Sequence, residues 1–220
     1  MEDALLRIAG WMPALLQATV ITAKLTVISV SVALVLGFFL AIGKISSNPL
    51  ISKPASAYVF LFRGTPLLIQ LLFIYYVLPE LFPVFDLKDP LMAAYVAFSL
   101  NVAAYLAEII RAAIQSIDKG QMEAARSLGL THGQAMRLVI IPQSYRRMIP
   151  PICNEFVMVL KDTSIVAIIS LPDLAFKTSQ IAATKSSQLV YLPAAAIYLV
   201  LTAGFTILFN WLEKKFSLYE

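Results

Sequence analysis

Long apolar runs separated by short polar breaks extend along the whole chain. A helix that crosses a bilayer needs about 20 apolar residues, and five segments reach that length: about 12–42, 55–78, 90–110, 152–169 and 189–211. Between them lie the breakers Ser46-Ser47-Asn48-Pro49, Pro79, Pro83, Pro90, Pro142, Pro150-Pro151 and Pro172. The pattern predicts an all-α polytopic membrane protein with five transmembrane helices, residues 1–220 forming one membrane domain. The first run exceeds the span requirement, so it tilts or begins as an interfacial helix.

Composition sharpens this reading. Hydrophobic residues make up 60% of the chain and charged residues 14%, whereas soluble domains are about a quarter charged. The net charge of +4 is scattered over the loops, which argues against nucleic acid and for charges at membrane edges. With the N-terminus outside, Lys44, Lys53, Arg111, Lys119, Arg126, Arg137, Arg146, Arg147, Lys214 and Lys215 fall on the cytoplasmic side. Only Arg7, Lys88, Lys177 and Lys185 then fall outside. The loop Pro79 to Asp89 is external on this topology, and the C-terminus is cytoplasmic. Trp11, Trp211 and Tyr219 are candidate interface anchors. The single cysteine, Cys153, excludes an internal disulfide and reads as a small packing residue. Glu2 and Asp3 stand where a secretory signal would carry positive charge.

One stretch is neither apolar nor a simple loop. Gln121 to Pro142 reads QMEAARSLGLTHGQAMRLVIIP. It predicts a short helix from Met122, a turn at Gly129, another at Gly133, and a second amphipathic run ending at Pro142. Ala124 and Ala125 offer a low face that another protein can approach closely. Glu123 and Arg126 can supply charge-assisted bonds at its rim, and Gly129 permits the backbone reversal that ends the helix. A solvated loop helix without a partner has the same composition.

Ionisable groups inside a bilayer are costly and so face protein or water. In the third span Asn101, Tyr105, Glu108 and Arg111 recur at helical spacing. In the fourth, Asn154, Met158 and Lys161 share a stripe, with Glu155 and Asp162 beside it. Glu108 with Arg111, and Lys161 with Asp162, fit structural ion pairs as well as pathway groups. Arg63-Gly64-Thr65-Pro66 breaks the second span, and Pro66 frees a backbone carbonyl. Such breaks are tolerated where they line a cavity; the site would suit an α-carboxylate or be a packed kink. The candidate substrate set is Asn154, Glu155, Met158, Asp162, Thr65, Leu67, Asn101 and Glu108. Lys24 is expected to snorkel or to meet a neighbour's carboxylate, and His132 to be solvated. No phosphate-binding loop, zinc-protease motif or nucleophile elbow is present.

Glu123-Ala124-Ala125, Gly129 and Val139-x-Ile141-Pro142 resemble the EAA loop of ABC importer permeases. Phe62 to Gln70 (FRGTPLLIQ), Asn101 to Arg111 and Leu160 to Ile165 (LKDTSI) narrow the resemblance to permeases for polar amino acids. Val139 stands for the usual Ile and Ile141 for the usual Leu. The resemblance covers about Thr19 to Lys215. It implies the type I importer permease fold, with Glu123, Ala124, Ala125, Arg126, Leu128 and Gly129 as a coupling helix docked on an ATPase subunit. It further implies two ATPase subunits per complex, a second permease subunit, identical or different, and an extracytoplasmic amino-acid-binding protein. ATP and Mg would sit on the ATPase subunits; this chain itself would hold no metal or cofactor and catalyse nothing.

A multi-pass permease of the cell (inner) membrane is therefore expected. Its cargo would be a polar amino acid, cationic if Glu155 selects it, with glutamine as the alternative. A secondary ion-coupled carrier would have no use for the polar helix, and five spans give no inverted repeat. An intramembrane enzyme using Glu108 and Asp162 would lack a nucleophile.

Overall fold

The computed structural model describes residues 2–87 and 89–217. Lys88 and Tyr219 of the expectations above lie outside these residues, and the side chains of Glu2 and Lys215 are likewise not described. Among the described residues there are helices and no strands. Among these residues three helices are long and apolar enough to cross a membrane, and one bent pair makes a fourth candidate.

The first is α1 (Glu2–Ile45), a single 44-residue helix that runs on through Pro13. At 1.5 Å per residue it is about 66 Å long, twice the hydrocarbon thickness. The exposed Lys24 and the paired Lys44 stand twenty residues apart on it, about 30 Å. That interval matches one crossing.

Asn48 accepts from the Leu50 amide at 3.0 Å and starts α2 (Pro49–Gly64). At Thr65-Pro66 the chain turns by 104° into α3 (Leu67–Leu72), a π-helical turn (Phe73–Val77) and α4 (Leu78–Leu81). The second run is thus two helices meeting at an angle, not one rod. Asp89 caps α5 (Pro90–Gln115) by accepting from the Leu91 amide at 2.9 Å.

The helix α5 is the central post, and α1 packs along it more extensively than any other pair of elements does. Alanines make this possible: Ala93, Ala94, Ala97, Ala103, Ala104 and Ala107 are all fully buried. Gly37 of α1 lies against this surface. A Cβ there would stand 2.9 Å from the Leu106 Cβ and 3.1 Å from the Ala103 carbonyl oxygen. Small residues let helix backbones approach where lipid offers no hydrophobic driving force.

Asp118 accepts from the Gly120 amide at 2.7 Å and starts α6 (Lys119–Ser127). After it come α7 (His132–Ala135), a π-helical turn (Met136–Ile140) and α8 (Ile141–Asp162). A 3₁₀ segment (Thr163–Ile169), α9 (Leu174–Lys185) and α10 (Tyr191–Ser217) complete the chain. Two serines in the left-handed region, Ser170 (φ 59°) and Ser186 (φ 48°), bracket α9.

Four expectations need correction. Pro79 and Pro142 do not end helices. Each is preceded by a π-helical turn, whose wider closure takes the Leu78 amide to the Phe73 carbonyl and the Ile141 amide to that of Met136. The extra residue absorbs the proline's missing donor without stopping the helix. Pro150-Pro151 lie inside α8, on its exposed side beside the exposed Arg146 and Arg147, where water can reach the carbonyls they leave unbonded. Gly133 makes no turn, because Thr131 and Gln134 form a capping box around it and start α7. Trp11 is no interface anchor: it is buried against Leu15, Leu174 and Val190 in a small core joining α1 to the end of the chain. Trp211 is exposed, and Cys153 is a buried free thiol.

Candidate functional site

The break in the second run is held shut by side-chain amides. Pro66 has no N–H to give the carbonyl four residues back, that of Phe62. Gln70 Nε2 takes over, donating to the Phe62 oxygen at 2.9 Å, and Asn101 Nδ2 donates to the same oxygen at 3.1 Å. Asn101 also donates to Gln70 Oε1 at 2.9 Å. Gln70 Nε2 reaches Thr65 O at 3.0 Å and Thr65 Oγ1 at 2.7 Å, while the Thr65 hydroxyl donates to Leu61 O at 2.8 Å. Of the candidate set, Asn101 is buried and committed to this closure, Thr65 is exposed at its edge, and Leu67 is half-buried. Gln70 was missed as a site residue; its signal was its place four residues after Pro66.

Next to the break stands a charge cluster. Glu108 accepts from Lys44 Nζ of α1 and from Arg111, at 3.0 Å (Nε) and 2.6 Å (Nη2). Arg63, in the last turn of α2, approaches the same carboxylate at 3.9 Å and lies over the Tyr105 ring, 5.3 Å from its centre. Three cations thus converge on one carboxylate, and Arg63 is the most exposed of them. The Glu108–Arg111 pairing foreseen from spacing is present, and Lys44 joins it from 64 residues away.

The helix α8 differs from the other long helices: it does not pass as a span by composition. Asn154, Met158 and Lys161 form an exposed stripe, and Glu155 and Asp162 sit half-buried along its border. Glu155 lies within electrostatic reach of both Asp162 and Arg63. The stripe points away from this chain's own core.

The polar helix ends as its sequence requires. Gly129 has φ +85°, its amide bonds the Arg126 carbonyl at 2.9 Å, and the Leu130 amide bonds that of Ala125 at 3.3 Å. These two bonds make a Schellman motif, in which the left-handed residue is best a glycine. Ala125 is buried at 4% exposure, so it faces its own chain. The outward face of α6 is made of Glu123, Ala124, Ser127 and Leu128, with Arg126 also exposed. Gln143 Nε2 of α8 donates to Gln121 Oε1 at 3.1 Å, and Arg147 donates to the Ser116 carbonyl, so the loop is tied to two long helices. A movement of α6 is thereby linked to α5 and α8.

Among the described residues no group of acidic, histidine or cysteine side chains is arranged to hold a metal.

Residues 33–218 match the family described as the binding-protein-dependent transport system inner membrane component. An L-cystine transport system permease protein of Bacillus subtilis (strain 168) is 38% identical over 201 residues, 90% of this chain and 84% of that protein. An arginine transport system permease protein of the same organism is 40% identical over 204 residues, 92% of each chain. A solved structure described as an amino acid ABC transporter with histidines superposes with a TM-score of 0.89 at 40% identity, covering 96% of this chain and 97% of that one. Such a family keeps its ATPase on separate subunits and implies a substrate-binding protein as a further partner. The chain belongs to the binding-protein-dependent transport family, as a membrane-embedded permease subunit of an amino-acid ABC importer.

Proposed function

We propose that this permease carries a cationic amino acid, with the exposed stripe of α8 as the wall of its path. The observation that carries the reading is the exposed stripe of α8 with two half-buried carboxylates, Glu155 and Asp162, on its border, and an exposed guanidinium beside the break, Arg63, whose charge reaches Glu155. An amino acid presents a carboxylate at one end and, if basic, a cation at the other. Arg63 suits the first and the two carboxylates suit the second, and Coulomb attraction is strong where water is scarce. Asn154, Met158, Thr65 and Leu67 then supply polar and polarizable walls. Of the relatives above, the arginine permease at 40% identity fits this cargo and the cystine permease at 38% does not, so the reading rests on the residues.

In this reading two such chains, identical or related, face each other across the α8 stripes, and the outward face of α6 docks on an ATPase subunit that holds ATP and Mg. The N-terminus lies outside and the α6 side faces the cytoplasm, as the bias of Lys and Arg favours. Asn101 and Glu108 act by holding the break and Arg63 in place.

The test is amino-acid-stimulated ATP hydrolysis by the complex reconstituted in liposomes. Glu155→Gln is expected to abolish stimulation by arginine while leaving basal hydrolysis intact. Unchanged arginine stimulation in that variant would remove the assignment. For the coupling helix, Glu123→Arg is expected to keep hydrolysis but lose uptake, and normal uptake would refute it.

A further inference from the structure

Beside the inner end of α1 lies a groove of about 1010 Å³, between that helix and the π-helical turn that leads into α8. It is separate from the break, the charge cluster and the α8 stripe. Its lining is of two chemical kinds. Phe39, Ile42, Met136 and Tyr145 are apolar or aromatic. Ser46, Ser47, His132 and Arg137 are polar or basic. Phe39 and Ile42 follow the exposed Ile28, Val32 and Val35 at helical spacing along one side of α1. An apolar face of that length on a membrane helix meets lipid. The groove therefore opens onto the bilayer at the level of Lys44, the end of the twenty-residue crossing, where head groups begin.

Charge gives the second argument. Among the described residues Lys44 and Arg111 are paired with Glu108, whereas Arg137 is exposed and has no ion pair. A guanidinium at a membrane edge that lines one groove with an imidazole and two hydroxyls is a match for a phosphate. Basic pockets between membrane helices bind anionic head groups for this reason.

We propose that the groove holds one anionic phospholipid, its phosphate against Arg137, His132, Ser46 and Ser47 and an acyl chain along Phe39 and Ile42. The lipid then sits where α1 meets the segment joining α6 to α8. Its occupancy stiffens that junction and tunes how movement of α6 reaches the spans.

The experiment uses the complex of the permease with its ATPase subunits, purified in detergent. It is titrated with phosphatidylglycerol or phosphatidylcholine, and the lipid bound is counted by native mass spectrometry. The expected result is one phosphatidylglycerol per permease chain, bound more tightly than phosphatidylcholine. Arg137→Gln should weaken phosphatidylglycerol about fivefold, the usual worth of one basic residue at an anionic surface, and weaken phosphatidylcholine less, because its own ammonium offsets the phosphate. Ile42→Trp, which narrows the groove without altering charge, should weaken both lipids. Phosphatidylglycerol binding to Arg137→Gln equal to that of the unaltered complex would overturn the proposal. So would release of the ATPase subunits by Arg137→Gln with lipid binding intact, since the groove would then serve a protein. Neither result would touch the assignment of the α8 stripe, which is read by arginine stimulation.

Discussion

The helices α5 and α8 are similar in length and both carry polar residues, yet they use them in opposite ways. On α5, Asn101 gives both its donor bonds to the second run, and Glu108 is enclosed by cations from three directions. On α8, Asn154, Met158 and Lys161 point out of the chain, and among the described residues no ion pair closes on Glu155. A polar group inside a membrane must be satisfied by its own protein, by a partner or by water. The α5 groups have the first solution, so they hold the fold. The α8 groups need one of the other two, so they mark where this chain meets something else.

This contrast can be broken by substitution, because the two helices should respond differently in stability. The largest effect is expected for Glu108→Gln, which leaves Lys44 and Arg111 without their carboxylate. Removing one partner of an enclosed ion pair costs about 3–5 kcal/mol. It would be read as a fall in the thermal midpoint of the detergent-solubilised complex, partly recovered by adding Lys44→Met. No fall would mean the cluster is solvated and not enclosed. Gly37→Leu comes next, at about 1–3 kcal/mol for overpacking, because the new side chain meets α5 where its backbone cannot retreat. A smaller loss, about 1–2 kcal/mol, is expected for Gln70→Leu, which takes a donor from the Phe62 and Thr65 carbonyls. Smallest are Asn154→Ala and Met158→Ala, within about 0.5 kcal/mol in the same melt. Their expected effect is on the concentration of arginine that half-stimulates hydrolysis. Should either of them unfold the protein as Glu108→Gln does, the distinction between the two helices would fail.

Much of the site was legible in residue order alone. Pro66 announces a free carbonyl wherever it sits in a helix, and the spacing of Glu108 and Arg111 announces their pairing. Gly129 announces a left-handed turn, because few other residues accept φ +85° without strain. What order concealed was every partner distant in the chain. Lys44 gives no hint that it closes on Glu108, nor Asn101 that it reaches back to Phe62. The prolines misled for a related reason. Their local preference is to stop a helix, but a π-helical turn just before each of them takes up the missing donor, so Pro79 and Pro142 are carried through. Ala125 is an instance in the other direction: adjacent to Ala124 in the motif, it turns inward because neighbours on a helix face different ways.

The sequence by itself determined that this chain is helical, membrane-embedded and carries a capped polar helix, because hydrophobic length and turn chemistry are local properties. Only the tertiary structure decided which polar groups are spent inside the chain and which remain to meet cargo, lipid or another subunit. That division depends on what stands opposite each side chain, and a residue's opposite number is set by packing rather than by its place in the order.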